Sequence, residues 1–131
     1  MNGSDTEGAV EIEMLHSDGS KGPALVEGGV RGACQVRITY QGIVSQGESS
    51  DFFCALARAR RRFENLGFRL LCYGASKNVW ATGMARDMGL GLRAHFFRDG
   101  EWSSDVRDIF ASGPDVIPAT VEEQTAYWRR L

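Results

Sequence analysis

The chain has 131 residues, of which 43% are apolar and 24% are charged, as in an ordinary soluble globular protein. This length supports one domain with a single hydrophobic core. The net charge of −2 provides no overall field that would favour nucleic acid or an anionic membrane surface, so neither is an expected partner.

The N-terminal part of the chain is predicted to form strands. Residues 1–9 are largely polar and acidic, so we expect a disordered tail ahead of one domain that spans residues 10–131. Apolar residues alternate with glutamates over residues 10–15, which predicts a half-buried strand near a sheet edge. Residues 17–32 contain five glycines and a proline, so they are predicted to form a loop around a short strand at residues 24–26.

A second alternation of apolar and polar residues extends from Cys34 to Gln41 and predicts a strand. The Gln41-Gly42 dipeptide suits a tight turn, and residues 43–46 can return as the partner strand. These two segments should therefore form an antiparallel hairpin.

The clearest helical pattern begins at Ser50, which we predict to be the N-cap. Gly67 is a natural residue to follow the helix, because glycine readily adopts the left-handed conformation common there. The arginines of residues 58–62 are expected to form a solvated face, and contact with an anion or an acidic partner is the alternative. The apolar stripe predicted to face the sheet consists of Phe52, Leu56, Ala59, Phe63 and Leu66.

Residues 68–73 form a short apolar run that predicts a buried strand. A segment from Gly74 to Gly91 follows, in which glycines are interspersed with polar, aromatic and methionine residues. Residues 92–98 predict a further strand, which the Asp99-Gly100 turn ends.

The C-terminal residues are expected to form short helices. Ser104 can cap a first helix that ends before Gly113-Pro114, and Thr120 with Glu123 forms a capping box that begins a last helix ending near Leu131. The elements together predict an α+β fold. We expect a two-layer single domain with a mixed, mostly antiparallel sheet, one long helix packed on it and short C-terminal helices.

The residue types that commonly perform catalysis form no recognisable motif. Gly74-Ala75-Ser76 matches neither of the common phosphate-binding glycine motifs. The histidines are His16 and His95, and a pairing of His95 with Ser76 or Cys72 is conceivable but has no supporting pattern. The acidic residues also lack the spacing of a metal site. We therefore predict a protein that is not an enzyme and has no catalytic residue, metal or cofactor.

Cys34, Cys54 and Cys72 are odd in number and lack the C-x-x-C spacing of zinc sites, so we expect reduced thiols with structural roles. No apolar run approaches the roughly 20 residues needed to cross a bilayer. The polar N-terminus also lacks the apolar stretch of a signal peptide. These features predict a cytoplasmic protein with no membrane association.

The segment from Gly74 to Gly91 is the expected location of function. Connections of this length are usually functional or disordered, and this one is too apolar for disorder. Trp and Arg are the residue types that most often anchor protein interfaces. The predicted partner-binding residues are Asn78, Trp80, Met84, Arg86 and Asp87.

Four stretches of the chain resemble a family of small bacterial proteins. They are residues 71–80 (LCYGASKNVW), 83–91 (GMARDMGLG), 51–53 (DFF) and 115–124 (DVIPATVEEQ), so the resemblance covers most of the chain. Members of that family resemble immunity proteins that act beside secreted or contact-delivered toxins. The resemblance implies a cognate toxin as partner and implies no catalytic residues.

The leading hypothesis is accordingly a cytoplasmic immunity protein that binds and inhibits a cognate bacterial toxin. The alternative is a small enzyme or a nucleotide- or anion-binding protein that uses the loop from Gly74 to Gly91. A structural or scaffold subunit is a third possibility. A toxin gene beside this one would favour the first hypothesis, and a metabolic operon would favour the second.

Overall fold

The structure is a computed structural model that describes residues 8–98 and 100–130. Its strands are β1 (Gly8–Leu15), β2 (Lys21–Arg31), β3 (Ala33–Tyr40), β4 (Ile43–Ser49), β5 (Arg69–Leu70), β6 (Val79–Trp80), β7 (Arg93–Arg98) and β8 (Glu101–Asp108). Its helices are α1 (Phe52–Asn65), α2 (Gly83–Gly89) and α3 (Val121–Arg129).

The strands form two antiparallel sheets. The larger sheet has the order β4-β3-β2-β1-β5, and the smaller has the order β6-β7-β8. This confirms the predicted single α+β domain with predominantly antiparallel pairing. The structure differs from the expected single mixed sheet, because the strands are divided between two sheets and every described strand pair is antiparallel.

The long helix α1 packs across β3 and β4 of the larger sheet. Its predicted stripe is confirmed at Phe52, Leu56, Ala59 and Phe63, all of which are buried. The prediction for Leu66 is wrong, since this residue is the C-cap and is 52% exposed. The helix also passes directly over Gly47 in β4, where an added methyl group would overlap the backbone of α1.

Capping residues define where α1 begins and ends. Asp51, rather than the predicted Ser50, is the N-cap, and its side chain accepts a hydrogen bond of 2.8 Å from the Cys54 N–H. Gly67 has a φ of +89°, as expected for the residue that follows the helix. Capping at both ends satisfies backbone groups that have no partner within the helix.

The predicted loop at residues 17–32 is wrong over most of its length, because residues 21–31 form β2, the central strand of the larger sheet. β2 pairs with β1 on one side and β3 on the other. These two ladders outweigh the low strand propensity of its glycines. Glycine also allows close packing, since a Cβ atom at Gly22 would overlap the Tyr40 hydroxyl.

The predicted helix beginning at Ser104 is also wrong, because this region is the strand β8. β8 pairs with β7 as a hairpin, and Gly100 in the turn has a φ of +82°. Asp99, the other predicted turn residue, lies outside the described residues. Pairing with β7 decides the conformation here, since short apolar runs are ambiguous between helix and strand.

Two further boundaries differ from the predictions. β1 begins at Gly8, so two residues of the expected tail are strand, while residues 1–7 lie outside the described part of the chain. Only Arg69–Leu70 of the predicted strand at residues 68–73 is strand, and Tyr73–Ala75 form a 3-10 turn. The predicted capping box of Thr120 and Glu123 is confirmed at the start of α3. Leu131, where that helix was expected to end, lies outside the described residues.

Candidate functional site

A buried polar network fixes α3 beside α1. Arg60 is 1% exposed, and its guanidinium donates hydrogen bonds to the Glu64 carboxylate, to Gln124 Oε1 and, at 3.0 Å, to the Ala119 carbonyl. The Glu64 carboxylate also accepts from the Val121 N–H at 2.9 Å. Burial raises the pKa of Glu64, although the Arg60 guanidinium acts in the opposite direction. The expectation that Arg60 belongs to a solvated face is therefore wrong.

Gln124 extends this network to the segment before β6. Its Nε2 donates to the carbonyls of Gly74, Ser76 and Val79 at 3.1, 2.8 and 2.9 Å. The two N–H groups of this amide are thus shared among three buried backbone carbonyls in the irregular segment. The network holds β6 and α3 on the same side of α1 and so creates a groove between them.

This groove has a volume of about 690 Å³ and lies between α1, β6, α2 and α3. The floor of the groove is aromatic. The rings of Trp80 and Trp128 stack there, with centroids 5.3 Å apart and an angle of 5° between their planes. The Phe53 ring meets Trp80 edge-on at 5.2 Å. The lining residues are Phe53, Cys54, Ala57, Arg58, Arg61, Trp80, Arg86, Val121, Gln124, Thr125, Trp128 and Arg129.

Arg86 is held rigidly against the aromatic floor. Its Nε donates to the Ala81 carbonyl at 3.1 Å, and its guanidinium lies 5.1 Å from the Phe53 ring and 5.4 Å from the Trp80 ring. Stacking on aromatic faces is favourable for a guanidinium and limits its motion. Arg86 therefore presents an oriented positive charge at low further entropic cost.

Three other arginines line the groove and are exposed. Arg58 and Arg61 come from α1, and Arg129 comes from the last position of α3. Arg61 forms an ion pair of 3.3 Å with Glu122, but both side chains are more than half exposed, so the pair is weak. No carboxylate is among the described residues that line the groove. The groove is consequently a positive region on a chain whose net charge is −2.

The structure brings only part of the predicted partner-binding set together. Trp80 and Arg86 line the groove. Met84 and Asp87 lie on the exposed surface of α2, where Met84 is 73% exposed. Asn78 lies in a turn instead, where its side chain accepts from Ser76 Oγ and its carbonyl accepts from the Phe97 N–H.

The predicted partner-binding set omits the groove residues contributed by the two longer helices. These are Phe53, Arg58, Arg61, Trp128 and Arg129. The adjacent residues Trp128 and Arg129 are of types common at interfaces, and this pair could have indicated a binding surface in the last helix. Their juxtaposition with α1 depends on the Arg60 network, which no local pattern reveals.

The glycine turn does not form a phosphate cradle. The N–H groups of Gly74, Ala75, Ser76 and Lys77 all donate to backbone carbonyls, namely those of Ile109, Cys72, Tyr73 and Ile117. Gly74 is also packed so closely against Leu56 and Ile109 that an added methyl group would clash. The backbone donors that phosphate binding requires are therefore already used.

The candidate nucleophiles are also engaged elsewhere. Burial raises the pKa of Cys72 to about 11, which keeps it a neutral thiol. Ser76 Oγ donates to Asn78 and accepts from the Ile117 N–H. Cys34, Cys54 and Cys72 are free thiols, and the described residues contain no cluster of His, Cys, Asp or Glu suited to a metal ion.

No protein-family model matches this chain, and comparison with curated proteins gives no match. Among the described residues, no helix has the length and apolar character required to span a bilayer. The groove is therefore interpreted from its own geometry.

Proposed function

We propose that this protein is a cytoplasmic immunity protein that binds and inhibits a cognate bacterial toxin, with the arginine-rimmed groove as its main contact surface. The observation that carries the proposal is the convergence of Arg58, Arg61, Arg86 and Arg129 around one aromatic groove. Arginine and tryptophan are the commonest interface anchors. The partner surface that this groove suits is acidic.

The aromatic floor favours a protein partner over a nucleobase or other flat ligand. Trp80 already contacts Phe53, Arg86 and Trp128, and Trp128 also contacts Trp102 at 5.0 Å. Rings committed to one another in this way are poorly placed to stack on an inserted base. The guanidinium groups and the edges of the rings remain available for contact. Guanidinium groups bind carboxylates well, so the groove suits acidic side chains at the surface of a folded partner.

Met84 and Met88 form a separate exposed patch on α2. They are 73% and 83% exposed. Each lies two positions from Arg86, about 200° around the helix, so their side chains point away from the groove that Arg86 lines. This patch is therefore not part of the proposed contact surface.

The first test is co-expression with the toxin candidate encoded beside this gene. Cells that carry this protein should survive toxin induction. The purified pair should form a complex whose affinity falls as salt rises, because charge pairing steers association. Survival no better than with an empty vector would overturn the proposed function.

The second test uses exposed arginines of the two longer helices as variants. Arg61→Glu with Arg129→Glu should weaken toxin binding by about 30-fold or more, the effect of losing about 2 kcal/mol at an interface hot spot. Arg62→Glu is the control, because Arg62 is exposed but its guanidinium donates to the Val44 carbonyl outside the groove. Equal binding by both variants, with unchanged thermal unfolding, would contradict the assignment of the groove.

A further inference from the structure

We propose that the free edge of β1 and the apolar cleft beside it form a second docking site, which accepts an extended partner segment with alternating apolar and basic residues. The cleft and the arginine-rimmed groove share no lining residue. The second docking site can therefore be tested separately from the proposed function.

β1 is paired along its whole length on only one side. β2 pairs with it from Gly8 to Leu15, whereas β5 pairs with it only at Met14 and Leu15. One more bond on the β5 side joins the Leu71 N–H to the Glu13 carbonyl at 2.9 Å. Within the described chain, residues 8–12 have no strand partner on this side.

The direction of the unpaired groups follows from antiparallel geometry. Backbone N–H and C=O groups of alternate residues point to the same side of a strand. Because Glu13 faces β5, Glu11 and Ala9 direct their backbone groups to the same, open side. A partner strand can therefore form a regular ladder with Ala9 and Glu11.

The other edge of the sheet is protected by side chains. Arg58 and Arg62 donate to the Glu48 and Val44 carbonyls of β4 at 2.7 and 2.9 Å. Proteins commonly cover edge strands with long basic side chains in this way to prevent unwanted pairing. No comparable cover is present over residues 8–12 of β1 in the described structure, which distinguishes this edge as a docking position.

An apolar cleft of about 470 Å³ adjoins the free edge. It exists because α1 packs over β3 and β4 and leaves this end of β1 and β2 without a covering helix. Val10, Leu90 and Leu92 remain 40%, 40% and 38% exposed there. The cleft is lined by Gly8, Ala9, Val10, Val26, Gly28, Val30, Phe52, Leu90, Leu92 and Phe110.

The two faces of β1 specify the chemistry of the occupant. Val10 faces the cleft, whereas Glu11 and Glu13 are exposed on the opposite face. Alternate side chains of an added strand point to opposite faces. Apolar residues of the occupant would enter the cleft, and basic residues would lie beside the glutamates.

Other occupants match this surface less well. A second copy of the chain would bring the glutamates of two β1 strands onto one face, where like charges repel. Residues 1–7 precede β1, but Met1 is the only one of them with a large apolar side chain. They do not provide the alternating apolar side chains that the cleft requires.

The test uses two synthetic peptides of nine residues, one alternating valine with lysine and one alternating valine with glutamate. The valine–lysine peptide should bind saturably with a Kd below about 1 mM, and the valine–glutamate peptide should bind at least about tenfold more weakly. Hydrogen exchange at the Ala9 and Glu11 amides should slow on binding. The Val10 and Ile12 amides face β2 and should change little.

Two sets of variants check the position of the peptide. Val10→Lys should abolish binding of the valine–lysine peptide, and Val44→Lys is the matched control, since Val44 is 44% exposed on the opposite edge strand. Glu11→Lys with Glu13→Lys should reverse the preference toward the valine–glutamate peptide.

Three results would overturn the inference. One is binding of equal strength by Val10→Lys and the unmodified protein. Another is equal binding by the valine–lysine peptide and by a nine-residue lysine peptide, which would show attraction by charge alone. The third is dimerisation with the same amide protection in the absence of peptide, since it would identify a second copy as the occupant.

Discussion

At the residue scale, neighbouring arginines of α1 have opposite roles. Arg60 is 1% exposed and bonded to Glu64, Gln124 and the Ala119 carbonyl, whereas the Arg61 side chain is 55% exposed at the groove. One step along a helix turns a side chain by about 100°, which is enough to exchange core for solvent. The first residue organises the site, and the second is available to a partner.

Replacement of Arg60 by alanine should lower the free energy of unfolding by about 3–5 kcal/mol, because it leaves the buried Glu64 carboxylate without its partner. Arg61→Ala is the matched control and should change this free energy by at most about 1 kcal/mol. Urea unfolding of both variants measures the difference. A loss below about 1 kcal/mol for Arg60→Ala would show that the buried network contributes little to stability.

At the element scale, α1 connects the larger sheet to the groove. Its inner stripe packs on the larger sheet, while Phe53, Arg58 and Arg61 line the groove. α3 provides the opposite wall, and its capping box fixes where the helix begins. The shape of the groove therefore depends on the packing of α3 against α1.

Phe63→Ala should destabilise the protein by about 3–5 kcal/mol, the range for removing a buried aromatic side chain. Phe63 is 1% exposed and lies against Tyr40, with ring centroids 6.5 Å apart. Leu66→Ala, at the exposed C-cap, should cost no more than about 0.5 kcal/mol. Equal losses for the two variants in urea unfolding would contradict the observed orientation of α1.

At the scale of the whole molecule, the three cysteines report on different parts of the fold. Cys34 and Cys72 are 3% and 0% exposed in the core, whereas Cys54 is partly exposed and lines the groove. Burial raises the pKa of both core thiols, that of Cys72 to about 11. Only Cys54 combines exposure with a position where a partner would cover it.

The native protein should therefore expose one thiol to a thiol reagent, and all three should react in urea. Since the folded-state pKa of Cys72 is raised, its thiolate stays scarce until the pH approaches about 11, so mildly alkaline conditions should leave it unmodified. Intact mass after labelling gives the count. Rapid modification of all three thiols, or a mass two hydrogens lower from an internal disulfide, would contradict this arrangement.

Bound toxin should slow the labelling of Cys54 in proportion to the occupied fraction, because this residue lines the groove. The edge-binding peptide should leave Cys54 labelling unchanged, since it occupies the other surface. The two proposed surfaces are thereby distinguished in a single measurement.

Several elements were determined by sequence alone. The alternation in β1 and β3, the stripe of α1 and the capping box of α3 are local patterns, and each is reproduced in the structure. Periodicity and capping succeed here because their causes lie within a few residues of chain. Trp80 and Arg86 line the groove, and their role in binding a partner stays a prediction.

Only the tertiary structure decided the rest. β2 and β8 are strands because neighbouring strands pair with them, despite glycines in one and an apparent helix cap in the other. Arg60 is buried because Glu64 and Gln124 approach it from two helices, and Gln124 lies 64 residues away along the chain. The groove and the free edge of β1 likewise depend on where α1 and α3 pack. Such features arise from contacts between distant residues, and local propensity carries no information about which distant partners will meet.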